Sequence, residues 1–166
     1  ARRSARFRAN LRRATRRRLE ENICLEYHPS PDPESIFRRI LEVESDSWKG
    51  RQGEGFNVEP FQDFYRRMLP RLARRSQLRV LFLQRDGMDL AFIMGAVVGT
   101  RYRGLQVSFR EGYESLSLGN VAQLELIHHL VTEGVSTYDL GQDMDYKRRW
   151  GEASMVTRMV AISRQP

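Results

Sequence analysis

The spacing of apolar residues changes period several times along this chain, and each change marks an element. Phe7, Leu11, Ala14 and Leu19 form a thin stripe at helical spacing over residues 4–22, with Ser4 placed to cap it. Ile23, Leu25 and Tyr27 then alternate, which predicts a short strand ended by Pro29-Ser30-Pro31-Asp32-Pro33. A helix starting at Ser30 or Asp32 carries Ile36, Phe37, Ile40, Leu41 and Val43 on one face and stops near Ser47. Trp48 to Gly55 holds three glycines in six residues. It lacks the spacing of a nucleotide-binding P-loop and follows no strand, so a flexible connector is expected rather than a phosphate cradle. Pro60 opens a second amphipathic helix through Phe61, Phe64, Tyr65, Met68, Leu69 and Leu72, which Pro70 is expected to kink or shorten.

The period then falls to two. Leu78 to Leu83 reads as a strand, Asp86-Gly87 as a hairpin turn, and Leu90 to Val98 as a nearly continuous apolar strand. Gly95 inside it signals a bulge or a close backbone approach. Arg101-Tyr102-Arg103-Gly104 reads as another turn, before Leu105, Val107 and Phe109 alternate with Gln106, Ser108 and Arg110. A helix from about Leu118 to Glu133 follows, stopped by Gly134. Ser136 to Leu140 is a strand, Tyr146 to Trp150 a helical turn, and Met155 to Ile162 a last strand. Strands and helices in this order predict an α+β fold with a mixed, mostly antiparallel sheet rather than a doubly wound parallel one.

Composition changes this picture in two places. Residues 1–21 carry nine Arg and two Glu, a net +7, while the remainder balances nineteen bases with nineteen acids. The excess charge is therefore confined to the first helix, and the body is not basic. The Arg face at residues 2–18 suits either tRNA or an anionic lipid surface, or is a solvated linker helix whose packing partner lies in a preceding domain. A chain of 166 residues beginning in this run reads as a piece of a longer protein, divided at 1–22 and 23–166. No apolar run reaches membrane-spanning length, and the lone Cys24 makes a reducing cytoplasm the default. No Cys/His cluster suggests a metal site.

The second place is the stretch Tyr138 to Gly151. Only two lysines stand among twenty-six arginines, and only two tryptophans occur. Lys147 and Trp150 lie here, and Trp48 and Lys49 make up the other pair. Lys is a compact point charge where Arg is a planar fork, so the exceptions hint that a point charge matters at these two positions. Three acids, Asp139, Asp143 and Asp145, share the segment without the spacing of a calcium loop. Ion pairs with Arg148 or Arg149 are the plain expectation for Asp143 and Asp145.

Four motifs in order carry a resemblance: Trp48-Lys49-Gly50 after the long helix, Asp86-Gly87, Ser117-Leu118-Gly119 opening the central helix, and Asp139-Leu140-Gly141 with Tyr146-Lys147-Arg148-Arg149-Trp150. The chain resembles GNAT-fold acyltransferases, and within them the FemAB-like group that includes CelD of cellulose biosynthesis. The resemblance runs from about residue 10 to the end and implies the C-terminal of two GNAT-like halves.

It implies a sheet whose strands 105–110 and 136–140 splay apart around an acyl donor, acetyl-CoA or another acyl-CoA. The donor's pyrophosphate would meet Ser117, Leu118, Gly119 and Asn120, where free N–H groups and the helix dipole favour an anion. The fuller glycine-rich signature of the family is absent, and Ser117 as a simple helix cap remains an alternative. Tyr146 would protonate the leaving group, Lys147 neutralise developing charge, and Asp139 act as base or position Lys147. Trp48, Lys49 and Asp143 would line the acceptor side, and the acceptor would be an amine on a small molecule, sugar or cell-envelope precursor. An aminoacyl-tRNA donor, as in FemAB-type transferases, and a non-catalytic half that packs on its partner remain competing readings.

Overall fold

The computed structural model describes residues 3–53 and 58–156, and the strand expected at Met155 to Ile162 falls almost wholly outside them. Two helices lead the chain on either side of its first strand. Helix α1 (Ala5–Glu20) begins where the Ser4 hydroxyl accepts the Phe7 N–H, and strand β1 (Cys24–His28) follows. Helix α2 (Pro33–Ser45) is capped by Asp32, with proline at its first position, where a missing N–H costs nothing.

The segment expected as a flexible connector instead forms a short helix, α3 (Trp48–Arg51). Ser47 is the reason. Its hydroxyl accepts the Gly50 N–H at 3.2 Å and donates to Glu44 O at 2.8 Å, which locks α3 onto the end of α2. A Cβ at Gly50 would stand 2.0 Å from Glu44 O, so only glycine fits there. Residues 54–55 of that glycine-rich stretch lie outside the described residues.

Helix α4 (Phe61–Arg74) runs through Pro70 for another turn, so the proline does not shorten it. Leu69 is fully buried, and Tyr65, Leu72 and Ala73 pack beside it, so burial on the sheet outweighs the one lost hydrogen bond.

The sheet orders β1-β2-β3-β4-β5, with β2 (Leu78–Arg85), β3 (Met88–Val98), β4 (Arg101–Phe109) and β5 (Thr137–Asp139). Every pair is antiparallel except β4 with β5. Asp86 and Gly87 both take positive φ, as the expected hairpin requires. The next turn sits at Gly99-Thr100 rather than at Arg101 to Gly104. Those four residues extend β4 and pair with Gly95 to Val98. Their polar composition suggested a turn, but Arg101 and Arg103 are exposed on one face of the strand while Tyr102 is fully buried on the other.

Both sheet faces are covered. Ile36, Phe37, Ile40 and Val43 of α2 and Leu69 of α4 meet Val80, Phe82, Phe92 and Met94 on one side. Ala14 of α1 and Val121, Leu126 and Leu130 of α5 (Leu118–Thr132) meet Leu81, Leu83, Ala91 and Ile93 on the other. This explains why β2 and β3 read as continuous apolar runs. Helix α1 thus packs on α5 through Ala14, with Phe7 buried against Trp150, while Leu19, expected in the stripe, is exposed.

Candidate active site

The sheet opens between β4 and β5. Arg101, Tyr102 and Arg103 pair with Thr137, Tyr138 and Asp139, and β4 then continues alone to Phe109. Met94 stands opposite Gln106 and Gly95 opposite Gly104, so Leu105 is an extra residue and β4 bulges at the point of divergence. Gly95 permits this: a Cβ there would come within 2.2 Å of Arg103 O. Beyond the bulge, Arg110 N–H donates to Leu90 O, so by alternation the backbone groups of Val107 and Phe109 face away from β3. The result is a cleft of about 820 Å³, walled by β4, the end of β5, the start of α5, α3 and the turn around Lys147.

The start of α5 is built openly. Ser117 lies in the left-handed region (φ 53°) and its side chain makes no capping hydrogen bond. It is therefore not the plain helix cap that the sequence allowed. Its carbonyl takes the N–H groups of Asn120 and Val121, which leaves those of Leu118 and Gly119 unclaimed among the described residues. A Cβ at Gly119 would meet only Val107 Cγ2 at 3.9 Å and Phe109 Cδ1 at 4.0 Å. Protein packing therefore does not demand glycine, and the missing side chain leaves room in the cleft. Asn120 Oδ1 accepts a long 3.4 Å hydrogen bond from Trp150 Nε1.

Across the cleft, Lys147 opens a short 3₁₀ turn (Lys147–Arg149). Its Nζ donates to Gln142 O at 3.2 Å. Burial, Arg103 and Lys49 lower its pKa, opposed by Asp139. A Cβ at Gly141 would lie 3.5 Å from Arg103 Nη2 and 3.7 Å from Lys147 Nζ, so the two cations share one corner. Lys49 reaches the same cleft from α3 and donates to Val107 O at 3.2 Å. Burial raises the Tyr146 phenol above its ordinary pKa, and burial with neighbouring Tyr146 pushes Tyr138 well up, so both stay protonated at neutral pH.

The acids play other parts. Asp139 accepts Gly141 N–H at 2.8 Å and Arg103 Nη1 at 2.5 Å. Burial raises its pKa, but these two hydrogen bonds outweigh it and hold the carboxyl below its ordinary value. Asp143 and Asp145 both pair with Arg148 at 3.2 Å. Trp150 meets the Phe7 ring edge-on at 5.0 Å, and Arg3 Nη1 donates to Gly151 O, so α1 braces this turn.

Of the residues singled out from the sequence, Trp48, Lys49, Ser117, Gly119, Asn120, Tyr146 and Lys147 line the one cleft. Leu118 is buried in the core under α5. Asp139 and Asp143 are turned to Arg103 and Arg148 and are not among the lining residues. Arg103, Gln106, Ser108 and Gln123 line it too and were not singled out. Arg103 had no signal among so many arginines. Ser108 was legible as polar alternation, but only the fold shows that its buried hydroxyl, like Gln123 Nε2, lacks a partner among the described residues. Among those residues no three His, Cys, Asp or Glu side chains gather as metal ligands would, and no helix is long and apolar enough to cross a membrane.

A family model described as an acetyltransferase (GNAT) domain matches residues 5–148. Among solved structures, the C-terminal domain of a protein assigned as lysylphosphatidylglycerol synthetase from Agrobacterium fabrum superposes with TM-score 0.60 at 22% identity, over 84% of this chain and 42% of that one. An aminoglycoside acetyltransferase from an uncultured soil metagenomic sample, in complex with sisomicin, superposes with TM-score 0.60 at 9% identity, over 85% and 97%. The aminoglycoside acetyltransferase AAC(6′)-Iy, bound to a CoA-containing bisubstrate analogue, gives TM-score 0.57 at 8% identity, over 86% and 99%. At these identities the structural likenesses speak for the fold alone. No curated protein matches the chain.

Proposed function

The chain belongs to the GNAT acetyltransferase family and is an acyltransferase, and from that premise we propose that its β4/β5 cleft transfers an acyl group from acyl-CoA to an amine. The acceptor we infer is a small molecule, sugar or cell-envelope precursor, as in the FemAB-like and CelD-like branch whose motifs the chain carries. One observation bears most of this reading. The strands part above a helix start whose first N–H groups are unclaimed, with Tyr146 and Lys147 on the opposite wall.

The residues present fit acyl-CoA. The free amide of Gly119, the positive end of the α5 dipole and the space above Gly119 suit a pyrophosphate. Lys49 holds Val107 O, and the other backbone groups of Val107 and Phe109 that face away from β3 offer hydrogen bonds to an amide-bearing arm. The donor supplies a thioester, an activated carbonyl. The chain's own residues hold and move protons around it. Tyr146 keeps its Oη proton at neutral pH and hands it to the leaving group, and Lys147 sets a positive charge beside the charge that develops. Asp139 is not the base in this reading, because Gly141 and Arg103 occupy its carboxylate. It fixes Arg103 instead. The bisubstrate analogue held by AAC(6′)-Iy supports CoA as the donor.

Acyl transfer from acetyl-CoA to a panel of amines tests the reading. Wild type turns over, and Tyr146→Phe loses kcat with donor affinity kept. Equal kcat in Tyr146→Phe would remove the phenol from the chemistry. A second reading, an aminoacyl-tRNA donor, draws on the exposed arginines of α1, which braces the Lys147 turn. It predicts a salt-sensitive tRNA gel shift that weakens in Lys147→Ala, and an unchanged shift counts against it.

A further inference from the structure

The chain's two lysines come from distant segments, α3 and the turn after β5, yet both line the β4/β5 cleft. Each ammonium donates to a backbone carbonyl, Lys49 to Val107 O and Lys147 to Gln142 O. Neither forms an ion pair with a carboxylate among the described residues, although arginines form twelve such pairs there. The third cation of the group, Arg103, is taken by Asp139. Burial penalises the Lys147 ammonium, and both Arg103 and Lys49 repel it. Gathering like charges in a partly buried cleft costs free energy, which Asp139, itself held by Arg103, and the two carbonyl hydrogen bonds offset only in part.

We propose that Lys49 and Lys147 form a subsite for an anionic group, a carboxylate or phosphate, carried by the acceptor amine. This rests on the acyltransferase reading of the cleft and adds the substrate class: the acceptor is an acidic amine rather than a neutral or cationic one. Lys49 points to the acceptor rather than the donor. It enters from α3, beside α2, in the layer opposite α5, whereas the free amide suited to the donor's phosphates belongs to α5. Lysine also suits the task, since a compact ammonium with three donors pairs with oxyanions at varied angles where a guanidinium fork dictates one plane. A bound oxyanion would meet Lys49 from one wall and Lys147 from the other, and would relieve their mutual repulsion.

Having only two lysines gives a direct readout. In full-chain protein carrying isotope-labelled lysine, side-chain NMR shows one signal set for each. The probe is inorganic phosphate against sodium chloride at matched ionic strength. The expected result is saturable movement of both lysine signals with phosphate alone, and the same movement when CoA is already bound. In Lys49→Met, the phosphate affinity read from Lys147 falls about tenfold, and Lys147→Met does the same to the Lys49 signal. Backbone amide spectra confirm that both variants keep the fold.

Phosphate indistinguishable from chloride overturns the subsite, as does a Met variant with unchanged affinity. Loss of the phosphate response on adding CoA gives the anion to the donor and overturns the acceptor assignment. Calorimetry with acetyl-CoA on the same sample separates the two levels. Acetyl-CoA binding with no phosphate response ends this inference alone, and no acetyl-CoA binding ends the reading beneath it.

Discussion

Replacing Gly119 with alanine separates binding from folding. The residue occupies the first turn of α5, and an alanine methyl there would meet only Val107 Cγ2 at 3.9 Å and Phe109 Cδ1 at 4.0 Å, ordinary contact distances. Its φ is not positive, so the backbone accepts a side chain. Alanine is favoured over glycine in helices by about 0.8–1.0 kcal/mol, less near a terminus. Gly119→Ala should therefore melt at the wild-type temperature or about 2–4 °C above it. The methyl nonetheless occupies the space beside the unclaimed Gly119 N–H group in the cleft. Pushing a bound phosphate off this charge-assisted hydrogen bond, at about 1.5–3 kcal/mol, should weaken acetyl-CoA by tenfold or more. Differential scanning fluorimetry and isothermal titration calorimetry read the two effects on one sample. A stable Gly119→Ala protein that binds acetyl-CoA as tightly as wild type would refute the assignment of this helix start to the donor.

Other substitutions test separate links. Gly50→Ala puts a Cβ 2.0 Å from Glu44 O and should destabilise the fold by about 1–3 kcal/mol, measured by urea denaturation. Arg39→Ala strips the buried Asp89 carboxylate of a guanidinium that also binds Glu26 and stacks on Phe82, and should cost about 3 kcal/mol or more in the same assay. Tyr146→Phe should lower kcat about a hundredfold or more in acyl transfer while leaving the melting temperature near wild type, since its side chain is half-exposed. The Asp139 carboxyl titrates below its ordinary value because the Gly141 amide and Arg103 outweigh burial. Its contribution to stability is thus complete above the unfolded pKa near pH 4 and lost as pH falls through the lower folded value. The stability profile of Asp139→Asn should be flatter than that of wild type below pH 4, and parallel profiles would contradict the hydrogen bonds drawn here.

Much of this arrangement was legible in the chain because it follows from periodicity. Runs at Leu78 to Leu83 and Leu90 to Val98 are apolar throughout because helices cover both sheet faces, and the Asp86-Gly87 turn follows from backbone chemistry. The rarity of lysine and tryptophan pointed to two segments that the fold brings to one cleft. What stayed hidden depends on contacts made at a distance. The Ser47 hydroxyl turns a glycine-rich stretch into α3, and neighbouring burial carries α4 past Pro70. Arg101 to Gly104 looks like a turn until β3 supplies its partner. Ser117 reads as a cap from its residue type, yet its positive φ turns the hydroxyl away from that duty. Arg103 could not be distinguished from twenty-five other arginines without Asp139 and Gly141 beside it.

The central claim is that the cleft between β4 and β5 receives an acyl-CoA. Titrating acetyl-CoA into the full chain by calorimetry, with backbone amide shifts followed on the same protein, tests it most directly. The account predicts saturable binding, with the largest shifts at Leu118, Gly119, Val107 and Phe109. No heat at millimolar acetyl-CoA, or shifts confined to residues outside the cleft, would contradict it.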